Sequence, residues 1–204
     1  MEKAKESPKK KVVVVGGGPA GMQAAIAAGE AGHDVTLYEK KDYLGGEFAL
    51  APIPPYKGDM AYFLAWQTEQ LKRKGIKVHL GTEFTKETFE QLKPDTVILA
   101  TGSVPVKPNI PGINNKNVVI AQDVLKGMAE IGPRILVAGG GLIGAETASF
   151  CASRGFEVAI VEKQSDIAVE EEMTRRGFLL ELLNDKKVNM MVNTTIVEIK
   201  ENAA

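Results

Sequence analysis

The sequence predicts an α/β protein made of two βαβ units, each built on a parallel sheet, and three observations carry that prediction. Residues 11–40 and 134–163 align without a gap at an offset of 123. They read KVVVVGGGPAGMQAAIAAGEAGHDVTLYEK and RILVAGGGLIGAETASFCASRGFEVAIVEK. Each has an aliphatic run, a glycine cluster, an alanine-rich helical segment, a glycine stop (Gly32, Gly155), a second apolar run and Glu-Lys. Both runs are apolar on consecutive positions, as expected of parallel strands covered by helices on two faces. The strand–turn–helix–turn–strand order requires a right-handed crossover.

Taken in order, residues 1–10 are lysine-rich and read as a basic tail or linker. The run Val12–Val15 is too short for a signal-peptide core, and glycine follows at once. After the first unit, residues 58–74 read as an amphipathic helix, with Met60, Phe63, Leu64, Trp66 and Leu71 available to pack. Residues 76–80 and 96–99 read as strands, the second running into Ala100-Thr101-Gly102. Pro105, Pro108, Pro111 and Gly112 then forbid helix and mark an extended crossover. The domain boundary is placed there, giving a first domain over 11–110 and a second over 111–204. Beyond the second unit, residues 170–183 read as helix, and 188–192 and 195–199 as strands in a hairpin around Asn193-Thr194. Too little sequence follows to complete a sheet like the first, so the sequence is expected to be a piece of a longer protein with its first domain truncated.

Composition narrows the function. Apolar residues make up 44% and charged residues 25%, and the net charge is −1. Nothing there favours nucleic acid or an anionic membrane, and no stretch approaches the roughly 20 apolar residues that span a bilayer. Cys151 is the one cysteine and there are two histidines, so neither a disulfide nor a His/Cys metal site is expected. The expected compartment is the cytoplasm.

Gly16-x-Gly18-x-x-Gly21 and Gly139-x-Gly141-x-x-Gly144 each follow a strand and open a helix. The first glycine permits the tight turn, the second lets a pyrophosphate approach the backbone, and the third lets helix and strand pack closely. The phosphates then face the unpaired N–H groups and positive dipole end of a helix. Pro19 suits the first helical position, where a missing donor costs nothing. Glu39 and Glu162 each lie 23 residues after their first glycine. A carboxylate there accepts from ribose hydroxyls and repels a 2′-phosphate, which favours NADH over NADPH at Glu162. The units are therefore Rossmann-like, and the chain is expected to bind two ADP-containing cofactors.

Other residues leave two readings open. Gly45-Gly46 is a β-turn or a close approach to a second part of a cofactor, and Ala100-Thr101-Gly102 has the same ambiguity. Glu146 reaches a ribose or is an exposed helix residue. His33 and His79 read as surface or packing residues, Cys151, Phe63 and Trp66 as core residues, and Glu170-Glu171-Glu172 as a solvated helix start. No nucleophile or acid–base constellation is visible, so no catalytic residue is assigned.

With GGGPAGMQAA, LGGEF, ILATGSVP, IPG and GGGLIGAETA together, the sequence resembles the flavoproteins with two dinucleotide-binding domains. Within them LGGEFALAPIPPYKGDMAYF is similar to the FAD/NADH region of the 2,4-dienoyl-CoA reductase and 2-enoate reductase group, the NADH:flavin oxidoreductases. The resemblance assigns Gly16, Gly18, Pro19, Ala20, Gly21, Glu39, Lys40, Gly45, Gly46, Thr101 and Gly102 to FAD. It assigns Gly139, Gly141, Leu142, Ile143, Gly144 and Glu162 to NADH. The redox cysteine pair of the disulfide reductases is missing, which excludes that activity. An FMN-binding barrel, an iron–sulfur cluster and a closing Gly-Asp segment belong, by the resemblance, to a longer parent protein. The expected function is hydride entry from NADH onto FAD. The competing reading is a binding-only module that holds ADP or NAD alone.

Overall fold

The computed structural model describes residues 8–201. The fold is α/β, in two compact units with parallel sheets. One unit runs up to Ala51 and resumes over Asp59–Val104; the other comprises Pro52–Gly58 and the chain from Pro105 onward.

In the first unit, β1 (Lys11–Val15), α1 (Pro19–Glu30) and β2 (Asp34–Tyr38) form the βαβ core. A 3-10 turn (Gly46–Leu50), α2 (Met60–Arg73), β3 (Lys77–His79), α3 (Lys86–Leu92) and β4 (Thr96–Leu99) follow. The sheet order is β3-β2-β1-β4, and all three pairings are parallel. Val12, Val14, Val35 and Leu37 bury the sheet against Met22, Ala25 and Ile26 of α1 and Leu71 of α2. The three central valines of β1, Val12, Val13 and Val14, are buried in succession, as in a parallel strand covered on both faces.

The second unit repeats the plan with α4 (Ala121–Leu125), β5 (Arg134–Ala138), α5 (Leu142–Ala152), β6 (Glu157–Val161), α6 (Met173–Asp185) and β7 (Asn189–Met191). Its parallel sheet has the order β5-β6-β7. Ala145, Ala148 and Cys151 present small side chains, so α5 lies close to Val158 and Ile160. Cys151 is fully buried, a core residue as its sequence context implied, and burial pushes its thiol pKa up.

Three expectations need correction. Residues 188–199 do not make a hairpin, because β7 pairs in parallel with β6 and no strand covers 195–199. Asn193 and Thr194 instead turn back over the end of β6, donating to the carbonyls of Gln164 and Glu162 at 2.8 and 2.9 Å. Gly81 and Thr82 do the same above β2, to Lys41 and Glu39. Residue 199 is then tied to the proline-rich crossover, its N–H donating to the Pro111 carbonyl at 2.8 Å. Phe63 and Trp66 are not core: they are 42% and 48% exposed and stack on each other, while Gln67 is fully buried in their stead. Gln67 Nε2 donates to the Pro19 carbonyl at 3.0 Å, which fixes the rotation of α2 by a polar contact that hydrophobic periodicity does not register. Finally, α6 starts at Met173 with Glu172 as its cap, so Glu170 and Glu171 precede the helix.

Among the described residues no helix is long and apolar enough to cross a membrane, and no group of three or more His, Cys, Asp or Glu residues could hold a metal.

The strand-to-helix turn depends on its third glycine. A Cβ on Gly21 would stand 1.9 Å from the Gly16 carbonyl oxygen, and on Gly144 2.0 Å from that of Gly139. Gly21→Ala is therefore expected to destabilise the chain by about 1–3 kcal/mol or more, through backbone displacement. Urea denaturation checks this, and an unchanged midpoint would contradict it.

Candidate functional site

Each glycine loop is held by the acid at the end of the neighbouring strand. Glu39 is buried, and its Oε2 accepts from the Gly17 N–H at 2.6 Å while Oε1 accepts from the Lys41 N–H at 2.8 Å. Glu162, also buried, repeats this with Gly140 at 2.6 Å and Gln164 at 2.8 Å. The backbone completes the frame. Gly16 and Gly139 donate to the carbonyls of Tyr38 and Val161, and Gly45 and Ala168 donate to those of Gly17 and Gly140 at 2.8 and 2.7 Å. The two loops match in these bonds, position for position, at the offset of 123.

Charged hydrogen bonds of this kind contribute about 1.5–3 kcal/mol each. The Gln164 N–H does most to hold the Glu162 carboxyl below its usual pKa, helped by Gly140 and Lys163 and opposed by burial. A carboxylate offers about four lone-pair sites, so two per acid remain for hydroxyl donors after these bonds.

What lies beside the first loop suits a phosphate-bearing ligand. Gly18 caps α1 in extended conformation and makes no side-chain cap bond, and Pro19 opens the helix. The remaining first-turn N–H groups thus have no side chain from the cap residue. A Cβ on Gly18 would meet nothing within 4 Å, although its φ of −74° would accept any residue. Nothing among the described residues demands a glycine there, whereas a ligand pressed against the backbone would. Gly45 and Gly46 take φ of +110° and +55°, and a Cβ on Gly46 would stand 3.2 Å from the Gly18 Cα. The glycine pair is therefore a close backbone approach over the helix start, and no side chain fits between. Gly16, at φ +109°, lies against the end of β4, where its Cβ would fall 2.2 Å from the Ala100 oxygen and 3.2 Å from the Thr101 nitrogen. Thr101 and Gly102, the latter at φ +68°, leave the sheet beside the loop. Ala20 and Lys40 are exposed at its rim.

In the second unit Gly139 turns at φ +101°, Gly141 caps α5 in extended conformation, Leu142 and Ile143 form its first turn, and Ile143 is exposed. Glu146 is neither solvated nor free: it forms a half-buried ion pair with Lys57. Lys57 lies on Pro52–Gly58, where Ile53 packs into the second core. Elsewhere, the His79 ring stacks on Tyr38 at 4.7 Å, a packing role.

Sequence reading missed Gly17, Gly140, Lys41, Lys57 and Glu170. Extending the repeat past residue 40 would have exposed the alignment of Gly45 with Ala168 and of Glu47 with Glu170.

Comparison with known proteins agrees with this architecture. The family model described as pyridine nucleotide-disulphide oxidoreductase matches residues 10–204. An NADH oxidase of Thermoanaerobacter brockii is 44% identical over 200 residues, which covers 96% of this chain and 31% of that protein. A cinnamate reductase of Clostridium sporogenes is 42% identical over 158 residues, covering 78% of this chain and 24% of its own length. The structure of a 2-naphthoyl-CoA reductase with 2-naphthoyl-CoA superposes with a TM-score of 0.93 at 36% identity, over 97% of this chain and 30% of that one. The chain thus spans under a third of the length of these relatives.

Two outcomes follow from the loop geometry. Gly18→Ala should leave the unfolding free energy in urea within about 0.5 kcal/mol of wild type while abolishing calorimetric binding of an ADP-containing ligand at the first loop and leaving the second loop's binding intact. Loss of stability without loss of binding would reverse the argument. Glu162→Gln should destabilise by about 1.5–3 kcal/mol at neutral pH. A depressed pKa stabilises above the unfolded value, and that contribution is lost as pH falls through the folded value. The gap between variant and wild type should therefore close below about pH 4, which melting temperatures across a pH series would show.

Proposed function

The chain belongs to the pyridine nucleotide-disulphide oxidoreductase family, and from that premise we propose that it is the module through which electrons from NADH enter a larger flavoprotein. Family membership implies binding of FAD and NAD(H). The proposal assigns FAD to the first unit and NADH to the second. The observation that carries it is one anion-ready glycine loop with its bridging carboxylate, built twice in one chain.

In the first unit, the Gly18 backbone and the start of α1 would face the pyrophosphate, and the two unused lone-pair sites of Glu39 would receive ribose hydroxyls. Gly45-Gly46 and Thr101-Gly102 would border the rest of the flavin nucleotide, where the backbone leaves space that side chains would fill. In the second unit, Gly141, Leu142 and Ile143 would face the pyrophosphate and Glu162 the adenosine ribose. Because Glu162 keeps its negative charge at neutral pH, it would repel a 2′-phosphate and favour NADH. When bound, the nicotinamide supplies a hydride and the flavin accepts it, so the chain's own residues need only bind, orient and exclude water. That suits a chain in which sequence reading finds no nucleophile or acid–base constellation. In a longer protein, the electrons would pass to an iron–sulfur cluster, an FMN barrel and an unsaturated substrate such as an enoyl compound.

The test is the absorbance spectrum of the purified chain with added FAD. Retained flavin bands that bleach anaerobically on addition of NADH are the expected result. A chain that neither retains FAD nor transfers electrons to it from NADH would refute the proposal. In the same assay Glu162→Ala should weaken NADH by about tenfold or more and narrow the preference over NADPH, whereas an unchanged ratio would remove Glu162 from the ribose.

A further inference from the structure

The two units differ at one point where their repeat would make them alike. Positions 47 and 170 are both glutamate at the offset of 123, but their carboxylates go to different places. In the first unit, Glu47 Oε1 pairs with Lys41 Nζ at 2.9 Å. The residue equivalent to Lys41 in the second unit is Gln164, which carries no charge. The residue equivalent to Leu142 in the first unit is Pro19, which has no N–H to offer. Both differences act in one direction. With no lysine to hold it and a free donor within reach, Glu170 turns onto the start of α5, where its Oε1 accepts from the Leu142 N–H.

The carboxylate also covers the second glycine. A Cβ on Gly141 would stand 2.9 Å from Glu170 Oε1, whereas the same position on Gly18 faces nothing within 4 Å. The side chain is exposed, but the backbone that carries it is anchored. Ile167 and Ala168 are buried, Ala168 holds φ +50° with its N–H on the Gly140 carbonyl, and Asp166 pairs with Arg176 Nη2 at 2.5 Å. Glu170 is thus a negative charge on a fixed tether, free to swing but delivered to the helix start whenever that place is empty.

We infer that Glu170 is a built-in competitor for the pyrophosphate position of the second unit, which a dinucleotide must displace in order to bind. This rests on the proposal that the second unit binds NAD(H), and it adds an affinity-setting residue to that site. A carboxylate and a pyrophosphate cannot share the same helix N–H groups, so the strength of the Glu170 contact subtracts from the affinity of every phosphate-bearing ligand there. Among the described residues no carboxylate covers Gly18 in the first unit, where Glu47 pairs with Lys41 and Pro19 has no N–H to offer. The two sites are accordingly set to different affinities by three residues: a tightly held nucleotide in the first unit and an exchangeable one in the second.

The test is calorimetry on the full chain, saturated with FAD, with NAD+ and with adenosine as separate titrants, for wild type, Glu170→Gln and Glu170→Ala. NAD+ should bind Glu170→Ala about two- to fivefold more tightly, the range expected for an exposed carboxylate at a helix N-terminus. Glu170→Gln should fall between wild type and Glu170→Ala. Adenosine, which carries no phosphate, should gain nothing, and the ligand-free melting temperature should stay the same or fall. Unchanged or weaker NAD+ binding in both variants would overturn the inference while leaving the NAD site intact. An equal gain for adenosine would also overturn it, because the effect would then not depend on phosphate. Absence of NAD+ binding in wild type and both variants would instead refute the assignment of the second unit, and the inference with it.

Discussion

Both units depend on a buried carboxylate that reaches from the end of one strand to the glycine loop after the strand before it. Glu39 and Glu162 each accept one N–H from the middle glycine of their own loop and one from two residues downstream. A carboxylate placed there without donors would be expensive to bury. With two charged hydrogen bonds it fixes the turn, the strand end and the crossover above it as one piece. The loop is then organised before any ligand arrives, which reduces the ordering that binding must impose.

From that frame follows the use of glycine. Gly21 and Gly144 are required by the protein itself, because helix and strand meet where a Cβ would be. Gly18 is not, since it has open space and an ordinary backbone conformation. Within one short loop, the same residue type thus serves packing at one position and, in the proposed function, a ligand at another. Sequence spacing alone treats the two as equivalent. The geometry separates them.

Much of the fold was legible because its signals are local. Consecutive valines in Val12–Val15, the glycine spacing and the acid 23 residues on are all imposed by backbone geometry within one βαβ unit. What was not legible depends on partners distant in sequence. Gln67 is buried with its Nε2 donating to the Pro19 carbonyl, and Phe63 and Trp66 lie outward against the hydrophobic pattern. Asn193-Thr194 has the composition of a hairpin turn, yet its donors go to the loop after β6, and a turn's residue types do not name its acceptors. Lys57 and Glu146 lie 89 residues apart. Glu170 looked like any helix-start acid; its contact depends on residue 164 not being lysine and residue 142 not being proline.

In the proposed function one chain holds two different dinucleotides, one per glycine loop. Native mass spectrometry of the chain incubated with FAD and NAD+ tests this most directly. A species carrying one FAD and one NAD+ at once is the predicted result, with the FAD adduct lost in Gly18→Ala and the NAD+ adduct retained. A chain that binds at most one nucleotide, or whose two adducts disappear together in that variant, would contradict it.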